Sequence, residues 1–152
     1  MNKLIKNEII KIADIHKQRI IYAREKLSNL IPFTAEKIQN LSEEEFLIIE
    51  LMVNRFSKLQ DYIGSKVIDL FFEVANENYK NLTMLDKLHK LEKFNIIENK
   101  DIWLEIRELR NNLAHEYPEH PELTALFLNQ TYYFSQELIK IYYKLQEYIM
   151  RE

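Results

Sequence analysis

The sequence predicts an all-α fold, an antiparallel bundle of four to five helices that forms one domain over residues 1–152. The chain contains one Gly, three Pro and no Cys, and 47% of its residues are hydrophobic. Apolar residues recur at steps of three and four, which is the spacing of a helix face and not the alternation of a strand. A chain of this length buries enough surface to fold without a metal or a disulfide.

Helix boundaries follow from prolines, capping residues and polar segments. Ser42 and Glu45 match a capping box at the start of the second helix. Pro121 suits the first position of the last helix, where its missing N–H is not needed. Together with the apolar periodicity, these signals predict helices over Leu4–Leu30, Ser42–Val74, Met84–Phe94, Asp101–Glu116 and from Pro121 to near the end of the chain.

The apolar stripes predict which side chains form the core. The stripe of the second helix begins at Phe46, and that of the last helix begins with Leu123 and Leu126. Gly64 lies inside the second helix, where glycine is unfavourable, and indicates a kink or a close helix crossing. A glycine that is merely tolerated is the alternative.

Composition excludes several classes of function. Phosphate-cradling loops need glycines, and without Cys the chain has no disulfide, thiolate nucleophile, iron–sulfur cluster or Cys-based zinc site. We see no signal peptide and no membrane-spanning segment, so we expect a cytoplasmic protein. The net charge of −3 argues against a broadly basic surface but leaves a local basic cleft open.

The segment from Trp103 to Pro121 carries the candidate chemistry. On a wheel of ~100° per residue, its core stripe is Ile102, Ile106, Leu109 and Leu113. A second flank carries Trp103, Leu104, Arg107, Asn111, Ala114 and His115, beside Arg110. The acids Glu105, Glu108 and Glu116 occupy the remaining arc. We expect the second flank to meet something other than its own bundle, most simply a second copy of the chain.

Arg110 and His115 are ~140° apart on an ideal helix, so one chain does not direct both side chains at one atom. Either the last turn is distorted ahead of Pro118, which disfavours helical geometry in the preceding residue, or two chains contribute to one site. We favour the cleft between two chains.

The run from Arg110 to Tyr117, RNNLAHEY, resembles the signature of HEPN-domain proteins and specifically of HepT-like toxins: Arg, four residues, His, one residue, Tyr. Residues 55–61 followed by Gly64, and residues 88–97, look like the second and third helices of such toxins. The resemblance covers most of the chain. It implies an HEPN-like bundle that works as a homodimer.

The activity that this resemblance implies is metal-independent endoribonuclease cleavage, with Arg110 and His115 as catalytic residues and Asn111 in support. The side chains suit that chemistry. A histidine exchanges protons near neutrality, and an arginine fork binds phosphate oxygens. A mechanism that uses the 2′-OH requires RNA. No metal and no cofactor are inferred.

The resemblance also implies a partner, a minimal nucleotidyltransferase (MNT-type) antitoxin that attaches AMP to Tyr117. A phosphate added there would repel RNA and block the cleft. The alternative from another functional class is a non-catalytic HEPN subunit that docks the nucleotidyltransferase and uses Arg110 structurally.

Other polar residues carry weaker signals. Arg107 and Arg55 are candidate RNA contacts. Three further charged residues could also bind nucleic acid or line the cleft, but spaced charges on an exposed helix are more simply solvated or ion-paired: Lys58, Asp61 and Lys66. We expect His16, His89 and His120 to lie at the surface. The tyrosine and phenylalanine residues of the last helix are assigned to the core and its margins.

Overall fold

The computed structural model describes residues 2–113 and 119–151, and in that part of the chain all regular secondary structure is helical. The fold class predicted from the sequence, an all-α bundle, is confirmed. Its α-helices are α1 (Lys3–Leu27), α2 (Ala35–Gln39), α3 (Glu43–Tyr62), α4 (Ile68–Val74), α5 (Met84–Lys93), α6 (Lys100–Leu113) and α7 (Pro121–Arg151).

The long helices run antiparallel to their neighbours. Along α1 the contacts with α7 pass from Tyr142 opposite Asp14 to Tyr132 opposite Arg24, so the two chain directions are opposed. The same holds for α3 and α6, because the contact of Gly64 with Trp103 is followed, toward the start of α3, by that of Asp61 with Arg110. Helix α7 also packs against α2, α3, α4 and α6.

Helices α3 and α4 form one continuous rod, joined by a π-helical turn over Ile63–Val67. The capping box at its start is present, with Ser42 accepting from the Glu45 N–H and the Glu45 carboxylate accepting from the Ser42 N–H. Gly64 lies in the π turn. The predicted irregularity at this glycine is therefore real, and it takes the form of a widened turn and a close helix contact.

Two helices end in an asparagine that takes the left-handed backbone conformation often occupied by glycine. Asn76 and Asn95 have positive φ angles of 58° and 60°, in the left-handed region that asparagine tolerates better than most residues. After α5 the Ile96 N–H donates to the Leu91 carbonyl, which closes the helix in a Schellman arrangement. Asn76 ends α4 in the same left-handed conformation, and the Glu77 N–H donates to the Phe72 carbonyl. These features account for the polar break predicted after Val74.

The predicted core stripes are wrong at their first positions. Phe46, Leu123 and Leu126 are exposed. The first turns of α7 instead bury Ala125 and Leu128 in a second hydrophobic cluster with Leu27, Phe33, Ile49 and Met52. The buried face at the start of α7 is therefore offset from the stripe of large apolar residues. Helix α2, which joins this cluster through Ile38, was not predicted.

A partly buried polar contact joins α7 to α1. The Tyr142 hydroxyl donates to Asp14 Oδ1 at 2.8 Å, and Gln146 Nε2 donates to the same carboxylate at 3.1 Å. Tyr142 is fully buried, and burial is the main reason that its pKa is raised. This hydrogen bond joins the middle of α1 to the C-terminal half of α7, with the hydroxyl buried and the carboxylate 29% exposed.

We predict that Tyr142→Phe lowers the free energy of unfolding by about 1 kcal/mol, because it removes a buried hydroxyl from a carboxylate that keeps its Gln146 partner. Chemical denaturation measures the change. Tyr143→Phe is the matched control, since Tyr143 is 45% exposed and its hydroxyl makes no hydrogen bond to the described residues. Equal effects in the two variants would contradict the role of the Tyr142–Asp14 bond.

Candidate functional site

Helix α6 presents a core face and two different polar faces. Asn99 caps it, accepting from the backbone N–H groups of Asp101 and Ile102. Its core side chains are buried at Ile106, Leu109 and Leu113, as predicted. Trp103 was expected on the outward flank and is instead 1% exposed. The correction has a physical cause in the π turn that follows α3, where Gly64 leaves room for the indole ring.

Three of the sequence-predicted residues meet at one groove between α6 and the π turn. Arg107, Arg110 and Asn111 line its α6 side, and Asp61 and Ser65 line its α3 side. The volume is about 570 Å³, within the range of small-ligand sites. Arg110 and Asn111, which begin the arginine–histidine motif, therefore border a concave, polar surface.

Arg110 is held in this groove by a bidentate ion pair with Asp61. Its Nε donates to Oδ1 at 2.8 Å and its Nη2 donates to Oδ2 at 2.7 Å. The hydrogen bonds to Asp61 raise the pKa of Arg110. Because a guanidinium has five N–H donors, three remain for another acceptor. The pair orients the arginine and at the same time offsets its charge.

The acidic side chains of α6 lie on its other side. Glu105 and Glu108 border a separate groove between α6 and α7, together with Phe127 and Phe134. The separation of acids from Arg107, Arg110 and Asn111 that the helical wheel predicts is present among the described residues. The one carboxylate among the residues lining the Arg110 groove is that of Asp61.

Arg55, the other candidate RNA contact, does not join the groove. Its side chain is half-buried between α3 and α1, where Nη1 donates to Nδ1 of His16 at 3.1 Å. Since a guanidinium only donates, His16 must accept there and so be neutral. Burial, followed by the charges of Arg55 and Lys58, lowers the pKa of His16. His16 is therefore not the surface histidine that was expected, whereas His89 and His120 are exposed.

His115 and Tyr117, the predicted acid–base residue and the predicted site of AMP attachment, lie outside the described residues, as does Glu116. The part of the motif that the structure describes runs from Arg110 to Leu113. The position of His115 relative to Arg110 stays a prediction.

The sequence allowed Asp61 as a residue of the cleft but did not identify it as the partner of Arg110, and it did not identify Gln60. Asp61 is separated from Arg110 by 49 positions, and Gln60 lies on the buried side of α3 with 5% exposure. One signal was available. The chain has a single Gly and a single Trp, and these two residues are in contact across the helix pair.

Two further observations concern other kinds of site. Within residues 2–113 and 119–151 there is no cluster of three or more His, Asp or Glu side chains able to hold a metal ion. In the same part of the chain, no helix combines the length and the apolar character that crossing a bilayer requires.

We predict that the stability linked to His16 is fully present above pH 6.5 and is lost as the pH falls from there toward its lowered folded-state pKa. The reason is that the unfolded chain then binds a proton more readily than the folded one. His16→Gln keeps an acceptor for Arg55 but does not titrate, so denaturation series should show a weaker decline with acid. His120→Gln serves as control and should decline as the wild type does. An unchanged slope in His16→Gln would refute the assignment.

Comparison with known proteins does not supply a family: no protein-family model matches the chain, and no curated protein and no solved structure matches it either. The function is therefore inferred from the residues of the groove and from the motif that begins at its rim.

Proposed function

We propose that this chain is a metal-independent endoribonuclease toxin that cleaves tRNA or mRNA at a cleft between two copies of the chain. The observation that carries the proposal is the Arg110 groove, a concave surface with two arginines and an asparagine, from which the chain leads directly to His115. The acids of α6 border a different groove, so the Arg110 side is the one suited to a phosphate backbone.

In the proposed reaction Arg110 binds the scissile phosphate through the N–H donors that Asp61 leaves free. Its fixed positive charge stabilises the extra negative charge of the transition state. Asp61 holds the guanidinium plane in one orientation, which reduces the ordering needed when the phosphate arrives.

His115 carries out the proton transfer in this proposal. A base removes the proton of the RNA 2′-OH, the 2′-oxygen forms a bond to phosphorus, and the bond from phosphorus to the 5′-oxygen breaks. The leaving oxygen takes up a proton, and the products are a 2′,3′-cyclic phosphate and a 5′-hydroxyl. Imidazole serves as acid or base because it titrates near neutral pH. Asn111, exposed at the groove, orients these groups.

A homodimer and an antitoxin complete the proposal. Two copies bring a second motif to the cleft, which removes the difficulty that Arg110 and His115 diverge on one ideal helix. A minimal nucleotidyltransferase antitoxin would silence the enzyme by attaching AMP to Tyr117, since a phosphate at the cleft repels RNA.

We predict that the purified protein cleaves RNA in the presence of EDTA and that His115→Ala lowers the rate by about 100-fold or more, because the proton transfer loses its side chain. Arg110→Ala should lower it by a similar factor. A gel assay with total tRNA and mRNA measures cleavage, and sedimentation follows the oligomeric state.

His120→Ala is the matched control, because His120 is an exposed histidine five positions beyond His115. It should cleave at the wild-type rate. If wild-type protein leaves every RNA intact and is harmless when it is expressed alone, the nuclease proposal fails.

One observation favours the second candidate, a non-catalytic subunit that docks a nucleotidyltransferase. The bidentate pair of Arg110 with Asp61 is what a structural arginine would form. Yet the Asp61 side chain is 53% exposed and that of Arg110 is 25% exposed, and exposed ion pairs contribute little to stability.

A double-mutant cycle of Asp61→Ala and Arg110→Ala tests the structural role. We expect a coupling free energy of unfolding of at most about 1 kcal/mol, because solvent screens the pair. Thermal and chemical unfolding of the four proteins give the value. A coupling near 3 kcal/mol, the size typical of a broken buried pair, would favour the non-catalytic subunit.

A further inference from the structure

The floor of the Arg110 groove is kept open by the only glycine of the chain. Gly64 does not have a positive φ, so its backbone does not require glycine. A Cβ built there lies 3.4 Å from Trp103 Cζ2 and 3.9 Å from Met84 Cε, which are ordinary contact distances. Alanine would fit at this position, and it would fill a recess between an indole edge and a thioether.

One buried polar atom beside this recess has no hydrogen-bond partner among the described residues, and a buried glutamine lies next to it. Trp103 Nε1 is buried and unpaired, and it is bonded to the ring carbon next to Cζ2. Gln60 is 95% buried, and its Nε2 lies 4.0 Å from the same Cβ position. Buried polar atoms nearly always find partners. The floor of the groove therefore has hydrogen-bonding capacity that the described chain does not use.

The rim of the groove adds positive charge. Arg107 is exposed and has no salt bridge within residues 2–113 and 119–151. Arg110 and Asp61 offset one another, so Arg107 leaves the rim with a net positive charge. Ser65 and Asn111 supply neutral donors and acceptors beside it. An anionic ligand group at the rim would pair with Arg107. A flat group with a polar edge would lie on the floor and use its free hydrogen-bonding atoms.

We propose that the Gly64 groove is a nucleotide subsite, in which a nucleobase lies on the floor against Gly64, Met84 and the Trp103 edge while Arg107 and Arg110 bind its phosphate. The amide of Gln60 carries one acceptor and two donors, a set that complements the hydrogen-bonding edge of a base. The inference rests on the proposed function, since nucleotides are the units of RNA, and it adds a base-selecting pocket next to the cleavage site.

Trp103 makes a direct test available, because it is the only tryptophan of the chain. Its fluorescence reports on the groove without any need for catalysis. We would titrate wild-type protein with AMP, GMP, CMP and UMP, and with ribose 5-phosphate and inorganic phosphate as probes that lack the base. Short RNA oligomers then distinguish a free nucleotide from one within a chain.

At least one nucleotide should change the Trp103 fluorescence saturably, and the probes without a base should bind at least about tenfold more weakly. Gly64→Ala fills the recess and Arg107→Ala removes the rim charge, so each should weaken nucleotide binding by about tenfold or more. Arg19→Ala, which removes an exposed arginine on α1, is the matched control and should bind as the wild type does. Unfolding curves confirm that each variant is folded.

The inference is overturned if no nucleotide gives a saturable change, if ribose 5-phosphate binds as tightly as the nucleotides, or if folded Gly64→Ala binds like the wild type. Its failure is distinct from that of the nuclease. Nucleotide binding without RNA cleavage would support the nucleotide subsite and contradict the nuclease proposal. Cleavage by Gly64→Ala with unchanged base preference would support the nuclease proposal and contradict the nucleotide subsite.

Discussion

The contact between Gly64 and Trp103 is the constraint that shapes the site. Trp103, the largest side chain of α6, packs beside Gly64 in the π turn that follows α3. Close packing of this kind permits one register between the two helices. In that register Arg110 reaches Asp61, and Arg107 and Asn111 face the same groove. The π turn contains Gly64, the residue of this contact, in keeping with the frequent occurrence of such turns at functional sites. The candidate site is thus a consequence of how two helices pack.

Arg55 of α3 and Arg110 of α6 are both half-buried, but their guanidinium groups have different partners. Arg110 faces a carboxylate and keeps free donors at a groove. Arg55 donates to a neutral histidine and has no carboxylate partner in the described part of the chain, and its Nε is buried and unpaired. The first arrangement leaves the guanidinium poised for an anion, whereas the second places it between helices, where its partner must stay unprotonated. This difference is why the proposed function is built on Arg110.

Much of the fold was predictable because it depends on local signals. The capping box at Ser42, the polar break after Val74 and the proline at position 121 mark boundaries through nearby backbone groups alone. Burial was less predictable. In the first three turns of α7 Ala125 and Thr131 are buried while Leu126 is exposed, because the neighbouring helices decide which face is covered. Trp103 was placed on the wrong face for the same kind of reason, since a wheel of one helix does not contain the glycine opposite.

By itself the sequence determined the helical class, most helix limits and the segregation of acids from Arg107, Arg110 and Asn111 on α6, because each is a property of residues near one another in the chain. The motif that suggests a nuclease is likewise a local spacing. Only the tertiary structure decided that Asp61 pairs with Arg110, that Arg55 turns toward His16 and away from the groove, and that Gly64 opens a recess beside Trp103. These contacts join residues that are far apart in the chain, and helix packing selects them by shape and charge together, which no single segment specifies.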